Sequence, residues 1–190
     1  GYHLNYEYGR YTAACVWYEL LTGKNCKRNL YMNPEMTEEQ KEGIINLVSP
    51  TAYVTKDLLQ SVVTDAGGTA TYCSIKGIDV AAKTGTTDND YDKWLCGFTP
   101  YYTAATWYGY DYNETVRYGA TNPAGLIWAS VMSKIHTGLE PAVFSMPDGV
   151  ATYKVCKTTG MIATSRCWST YDELFWVDNL PGHCTRHPIR

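Results

Sequence analysis

The sequence predicts an α+β fold: a small antiparallel sheet packed against helices, with an N-terminal helical segment before it and a loop-rich, cysteine-bearing tail after it. Three observations lead there. Apolar residues keep helical spacing as far as about residue 64, with a break at Pro50. A looser alternation takes over between about residues 74 and 110, and helical spacing returns at 123–137. From about Glu140 onward Gly, Pro, Thr and Cys dominate.

Residues 8–22 read as an amphipathic helix. Tyr11, Ala14, Cys15, Tyr18 and Leu21 share one face, and Gly23 is the stop. Thr37-Glu38-Glu39-Gln40 is a capping box, so a short helix is expected from there to about Leu47. Pro50 should break it. Ser49 as N-cap and Pro50 at the first helical position then start a second helix, carrying Ala52, Tyr53, Lys56, Leu59, Gln60 and Val63 to about Thr64 and ended by Gly67-Gly68. Strands are expected at 78–83, 94–99 (closed by Pro100) and 102–110, with a polar turn from Gly85 to Asp92. Those spacings suggest an antiparallel meander. A helix follows from Pro123 to His136, then a tail with one short hairpin around Tyr153 to Ile162. There is no internal repeat.

Composition narrows the function classes. With 45% hydrophobic and 18% charged residues, the chain has the makeup of a folded domain. The net charge is −3 and the basic residues are scattered, which excludes the basic stripe of a nucleic-acid surface. No run approaches the ~18–20 apolar residues of a membrane span. The start, Gly1-Tyr2-His3, has neither a signal-peptide pattern nor an initiator Met, so the chain reads as a piece of something longer. Tyr, at 17 copies against 3 Phe, suits sheet faces and groove walls, where an apolar ring needs a polar tip.

Seven cysteines cannot all pair internally. Cys15, Cys26, Cys73 and Cys96 sit in patterned segments and read as small core residues. Cys156, Cys167 and Cys184 sit in the turn-rich tail near His183 and His187. The spacing matches no zinc pattern well, so a disulfide with one thiol left over is expected, and no metal or cofactor.

The strongest chemical signal is Lys83-Thr84-Gly85-Thr86-Thr87, placed where a strand runs into a loop at a sheet edge. A lysine there can hold positive charge beside a substrate carboxylate, and a neighbouring threonine hydroxyl can hydrogen-bond the same group. Gly85 leaves room for an acyl group to approach the strand. An edge strand can also pair with an extended peptide and supply an oxyanion donor. Lys-Thr-Gly is one of three motifs found together in penicillin-binding proteins and β-lactamases. Around it, Ser49-Pro50-Thr51-Ala52-Tyr53, Asp65-Ala66-Gly67-Gly68-Thr69-Ala70, Trp94-Leu95-Cys96-Gly97-Phe98-Thr99-Pro100, Trp107-Tyr108-Gly109-Tyr110-Asp111 and Asn122-Pro123-Ala124 follow in order. Together with the Cys156-to-Cys184 tail, residues 49–187 resemble the C-terminal part of the transpeptidase domain of class A penicillin-binding proteins, with a tail like those of clostridium-like Gram-positive bacteria.

The resemblance implies an enzyme family that cross-links peptidoglycan outside the cell membrane. A serine attacks the D-Ala-D-Ala stem peptide, and β-lactams acylate the same serine. Lys83 would be the cationic partner, Thr84 and Thr86 carboxylate and backbone binders, Gly85 the gap for substrate, and Thr87 and Trp94 further substrate contacts. The sequence departs from the family at the nucleophile: no Ser or Thr has Lys three positions later, and there is no Ser-x-Asn. Acyl transfer needs the hydroxyl and its base within ~2.6–3.2 Å. The chain is therefore expected to bind rather than to turn over.

Residues 1–48 fit a different pattern. Gly1-Tyr2-His3-Leu4-Asn5, Tyr8-Gly9-Arg10-Tyr11-Thr12-Ala13-Ala14 and Trp17-Tyr18 resemble the tail of an SGNH (GDSL-like) hydrolase, in which His3 would be the general base of a Ser-His-Asp triad. The segment contains no Asp. The expected organisation is a hydrolase-like tail at 1–48, a partial transpeptidase domain at 49–140 and a C-terminal extension at 141–190.

Overall fold

The computed structural model describes residues 12, 14–16, 18 and 36–187. These fall into two compact units: one holds 12, 14–16, 36–54 and 146–187, the other 18 and 55–145. Residues 12, 14–16 and 18 are helical, with Cys15 buried, as the expected first helix requires. The rest of that helix, Cys26 and His3 lie outside the described residues.

The capping box forms as its sequence dictates. The Thr37 N–H donates to Gln40 Oε1 at 2.9 Å, and the Gln40 N–H donates to Thr37 Oγ1 at 3.2 Å. The helix it starts, α1, runs without interruption over Glu38–Thr64, with Pro50 inside it. The two helices expected on either side of Pro50 are thus one. Proline removes the backbone donor for the Asn46 carbonyl, and the Thr51 hydroxyl bond to the neighbouring Leu47 carbonyl at 2.8 Å does not replace it. Ser49 and Pro50 are buried, and an ideal Cβ on Gly149 would stand 3.5 Å from Pro50 Cγ. Burial thus outweighs the local break.

Three strands, β1 (Ala81–Thr86), β2 (Asp92–Phe98) and β3 (Thr103–Gly109), form the expected antiparallel meander in that order. The first begins later than the sequence suggested, so Lys83 to Thr86 lie within it and the turn is confined to residues 87–91. That turn is tight: Asn89 and Asp90 have φ of 58° and 59°, and the Thr87 N–H and Asp92 C=O close it at 3.2 Å. A second helix, α2 (Pro123–Ile135), starts at Asn122, whose side chain accepts from the Ala124 N–H at 3.0 Å. It lays Trp128 and Met132 against Ala82 and Leu95 of the sheet, with Val63, Ala70, Cys73 and Val80 completing one core. Trp128 also donates its indole N–H to the Ala104 carbonyl at 3.0 Å. This is the α+β arrangement the periodicity predicts.

On the same sheet face Lys93 is almost fully buried. Its ammonium bonds Asp90 and the Tyr118 hydroxyl and lies 4.3 Å from the Tyr118 ring centroid. Removal from water opposes its charge, but the bonds to Asp90 and Tyr118 prevail and hold its pKa above the usual lysine value.

The tail holds a hairpin, but not the one expected. β4 (Val150–Cys156) pairs with β5 (Thr170–Trp176), and Ile162 makes only an isolated bridge to Val155. β5 reads Thr-Tyr-Asp-Glu-Leu-Phe-Trp, half-exposed and without alternation, so no period marks it. Two cysteine expectations also change. Cys96 is exposed rather than in the core, because β2 turns it to the face that α2 does not cover. Cys156, Cys167 and Cys184 are all free thiols, not a disulfide with one left over.

Candidate functional site

β1 is one of the two edge strands of its sheet. Its register opposite β2 pairs Lys83 with Cys96, Thr84 with Leu95, Gly85 with Trp94 and Thr86 with Lys93. Strand alternation therefore divides the motif. Lys83 and Gly85 share the face of Trp94 and Cys96, while Thr84 and Thr86 share the face of Leu95 and Lys93.

Lys83 is exposed, and its ammonium folds back to donate to the Thr84 carbonyl at 3.1 Å. Among the described residues no carboxylate lies within ion-pair distance of it. Thr84 Oγ1 lies 3.1 Å from Thr69 Oγ1, so two hydroxyls meet at the strand edge. Among the described residues the cation has a neutral carbonyl as its partner and the hydroxyl pair belongs to the next residue along the edge strand, and both kinds of donor suit a carboxylate.

On the other side of the motif, Gly85 faces a wall of indoles. An ideal Cβ there would lie 3.0 Å from Trp94 Cβ. Trp94 and Trp107 sit with ring centroids 6.5 Å apart at 48°, both about two-fifths exposed. The Trp107 indole N–H donates to Asp92 Oδ1 at 2.8 Å, and Asp92 Oδ2 accepts from Thr87 Oγ1 at 2.9 Å. The hydroxyl of Thr87 is thus engaged in closing the β1–β2 turn, and Thr86 is exposed at the end of β1. Asn122 donates to the Trp94 carbonyl at 3.1 Å and so fixes the start of α2 to β2.

The structure therefore divides the motif between the two faces of β1: Lys83 and Gly85 with Trp94 on one, Thr84 on the other. Trp107 joins the first group and Thr69 the second, though neither was singled out from the sequence. The signal for Thr69 was present in the Gly67-Gly68-Thr69-Ala70 stretch. Nothing in the sequence paired Trp107 with Asp92, because that contact depends on strand register.

A helix-flanked antiparallel sheet with Lys-Thr-Gly on its edge strand defines the class: part of a penicillin-binding-type fold. A solved structure of penicillin-binding protein 1A from Haemophilus influenzae matches with a TM-score of 0.57 at 21% identity, covering 73% of this chain and 21% of that one. Curated relatives make the resemblance specific. Penicillin-binding protein 1A of Clostridium tetani is 35% identical over 158 residues, covering 78% of this chain and 20% of the relative. The protein of the same name is 34% identical over 140 residues in Clostridium perfringens (73% of this chain, 16% of the relative) and 30% identical over 141 residues in Pseudomonas aeruginosa (73% and 17%). This chain resembles class A penicillin-binding proteins in their transpeptidase region. It spans about a fifth of the length of those relatives. Residues 1–54 match a different family, described as a domain of unknown function (DUF4886).

Proposed function

We propose that this chain carries the substrate-cradling strand of a peptidoglycan transpeptidase, and that it binds the terminal carboxylate of a D-Ala-D-Ala stem peptide or a β-lactam without itself supplying the acylated serine. One observation carries the reading: among the described residues the exposed Lys83 ammonium has a neutral backbone carbonyl as its partner, on an edge strand whose next residue, Thr84, pairs its hydroxyl with Thr69. An incoming carboxylate would replace a weak neutral contact with charge-assisted ones. The peptide backbone behind it would extend the sheet along β1, while Trp94 and Trp107 offer apolar area beside it. The setting that follows is the outer face of a bacterial membrane, where peptidoglycan is built.

Binding and chemistry are separable here. The 190 residues hold no Ser-x-x-Lys, so a nucleophile with its lysine base is not among them. Calorimetry with a D-Ala-D-Ala peptide should show weak binding that Lys83→Ala abolishes while the melting curve stays in place; unchanged binding would remove Lys83 from the account. Intact-mass measurement after incubation with benzylpenicillin should show no adduct. A one-drug adduct would instead mean that a hydroxyl in this chain is acylated.

A further inference from the structure

We propose that Cys156, Cys167, Cys184 and His187 form a structural zinc site of the Cys3His type. The four side chains come from three separate stretches: the last residue of β4, the β4–β5 connection, and the segment after β5. Their three sulfurs and one ring nitrogen all lie within 4.8 Å of one another. A zinc ion with Zn–S bonds of ~2.3 Å and a Zn–N bond of ~2.1 Å spaces its ligand atoms about 3.6–3.8 Å apart in a tetrahedron. The observed cluster, with every ligand atom within 4.8 Å of the others, closes to that size with side-chain shifts of about 1 Å. Four ligands complete the shell, and a closed shell without a position for water or substrate marks a structural rather than a catalytic metal. Thiolates with an imidazole select a borderline-soft ion, which favours zinc over magnesium or calcium.

The surroundings hold each ligand in place. Cys156, Cys184 and His187 are buried and Cys167 is half-buried. His187 turns Nε2 inward, 3.1 Å from Cys156 Sγ, and its ring stands edge-on to Trp168 with centroids 4.2 Å apart. The Cys156 N–H bonds the Met161 carbonyl at 2.9 Å, the Cys167 N–H bonds Thr164 at 3.0 Å, and the Cys184 N–H bonds Ile162 at 2.8 Å. The Thr164 N–H points back at Cys167 Sγ at 3.4 Å, the kind of outer contact that steadies a metal-bound thiolate. His183, the other histidine near these cysteines, is not in the group.

A disulfide would use two of these sulfurs and leave the third thiol and the imidazole facing them. Four-way convergence is what a metal needs and a disulfide does not. The tail also has reason to require a staple. Among the described residues its buried apolar side chains after Met146 are few (Val150, Val155 and Ile162, beside the cysteines), and a core that small stabilises a fold weakly.

The full chain, purified under reducing conditions and dialysed first against zinc and then against buffer, should retain one zinc per chain by elemental analysis. Cys184→Ser should lose it, and Cys96→Ser, which alters an exposed thiol outside the group, should keep it. Cobalt in place of zinc should give the intense visible bands of a tetrahedral thiolate complex. His187→Cys should still bind one cobalt, which separates loss of a ligand from loss of the fold. The proposal is overturned if the wild-type chain retains no zinc, if Cys184→Ser retains as much, or if the chain withholds two of these three thiols from alkylation as a disulfide when isolated without reductant.

Discussion

The Gly85 backbone lies so close beneath Trp94 that an ideal Cβ on it would stand 3.0 Å from Trp94 Cβ. In the middle of an edge strand that pair couples the Lys-Thr-Gly motif to the indole wall. Gly85→Ala should cost roughly 1–2 kcal/mol, the usual penalty for overpacking. Trp94→Gly in the same chain, which removes the Cβ that would be crowded, should recover most of it. Urea denaturation of the two single variants and the double variant checks this, and additive losses would show that the two residues do not press on each other.

Lys93 gives a prediction with a sign in pH. Its pKa is raised above the ordinary 10.5, so its contribution is complete below that value and fades as pH rises through the higher folded-state value. The wild-type chain should therefore lose stability above about pH 10.5 in part through this residue. Lys93→Met should flatten that part of the profile. Asp90 is half-exposed, so solvent screens the ion pair and Lys93→Met should cost only about 1 kcal/mol at neutral pH. Lys93→Ala, which also empties the space of the buried stem, should cost roughly 2–4 kcal/mol. Equal costs for the two variants would contradict the assignment.

Tyr72 hides its hydroxyl without a hydrogen-bond partner among the described residues. Removing an unsatisfied polar atom relieves a desolvation cost, so Tyr72→Phe should be neutral or stabilising by up to about 1 kcal/mol. Gly125 explains the crowding, since an ideal Cβ there would fall 2.1 Å from that hydroxyl and 2.8 Å from the ring carbon that bears it. Gly125→Ala should thus lose about 2–3 kcal/mol, and Tyr72→Phe should rescue it only in part, because the ring remains. Thermal melts of the three variants decide it.

Thiol labelling of the native chain should separate two neighbouring cysteines. Burial pushes the Cys73 thiol up to about 11 and removes it from reagent. Cys96 is exposed. Iodoacetamide at mildly alkaline pH should modify Cys96 quickly and leave Cys73 until the chain is unfolded; peptide mapping reads both.

Periodicity and turn residues made the helices and the meander legible. Thr37 and Gln40 marked the start of α1, Asn122 and Pro123 the start of α2, and the apolar run around Leu95 the centre of the sheet. Pro50 misled because local propensity cannot weigh burial: its ring packs near Gly149, a contact roughly a hundred residues away in sequence. β5 was missed because its side chains are neither clearly in nor clearly out. The site was legible where it was contiguous, at Lys83 to Gly85. It was not legible where register or a long-range approach brings residues together, as with Thr69 against Thr84, Trp107 against Asp92, and His187 against three cysteines.

The two β elements also differ in how far the chain must travel to close them. β1, β2 and β3 are joined only by residues 87–91 and 99–102, so the sheet's contacts are local and it can assemble early. β4 and β5 are separated by residues 157–169, whose ends must find each other before any strand bond forms. The longer connection raises the entropic cost of closing the tail hairpin by only about 1 kcal/mol over the sheet's turns, so its strands should be the easier pair to open locally.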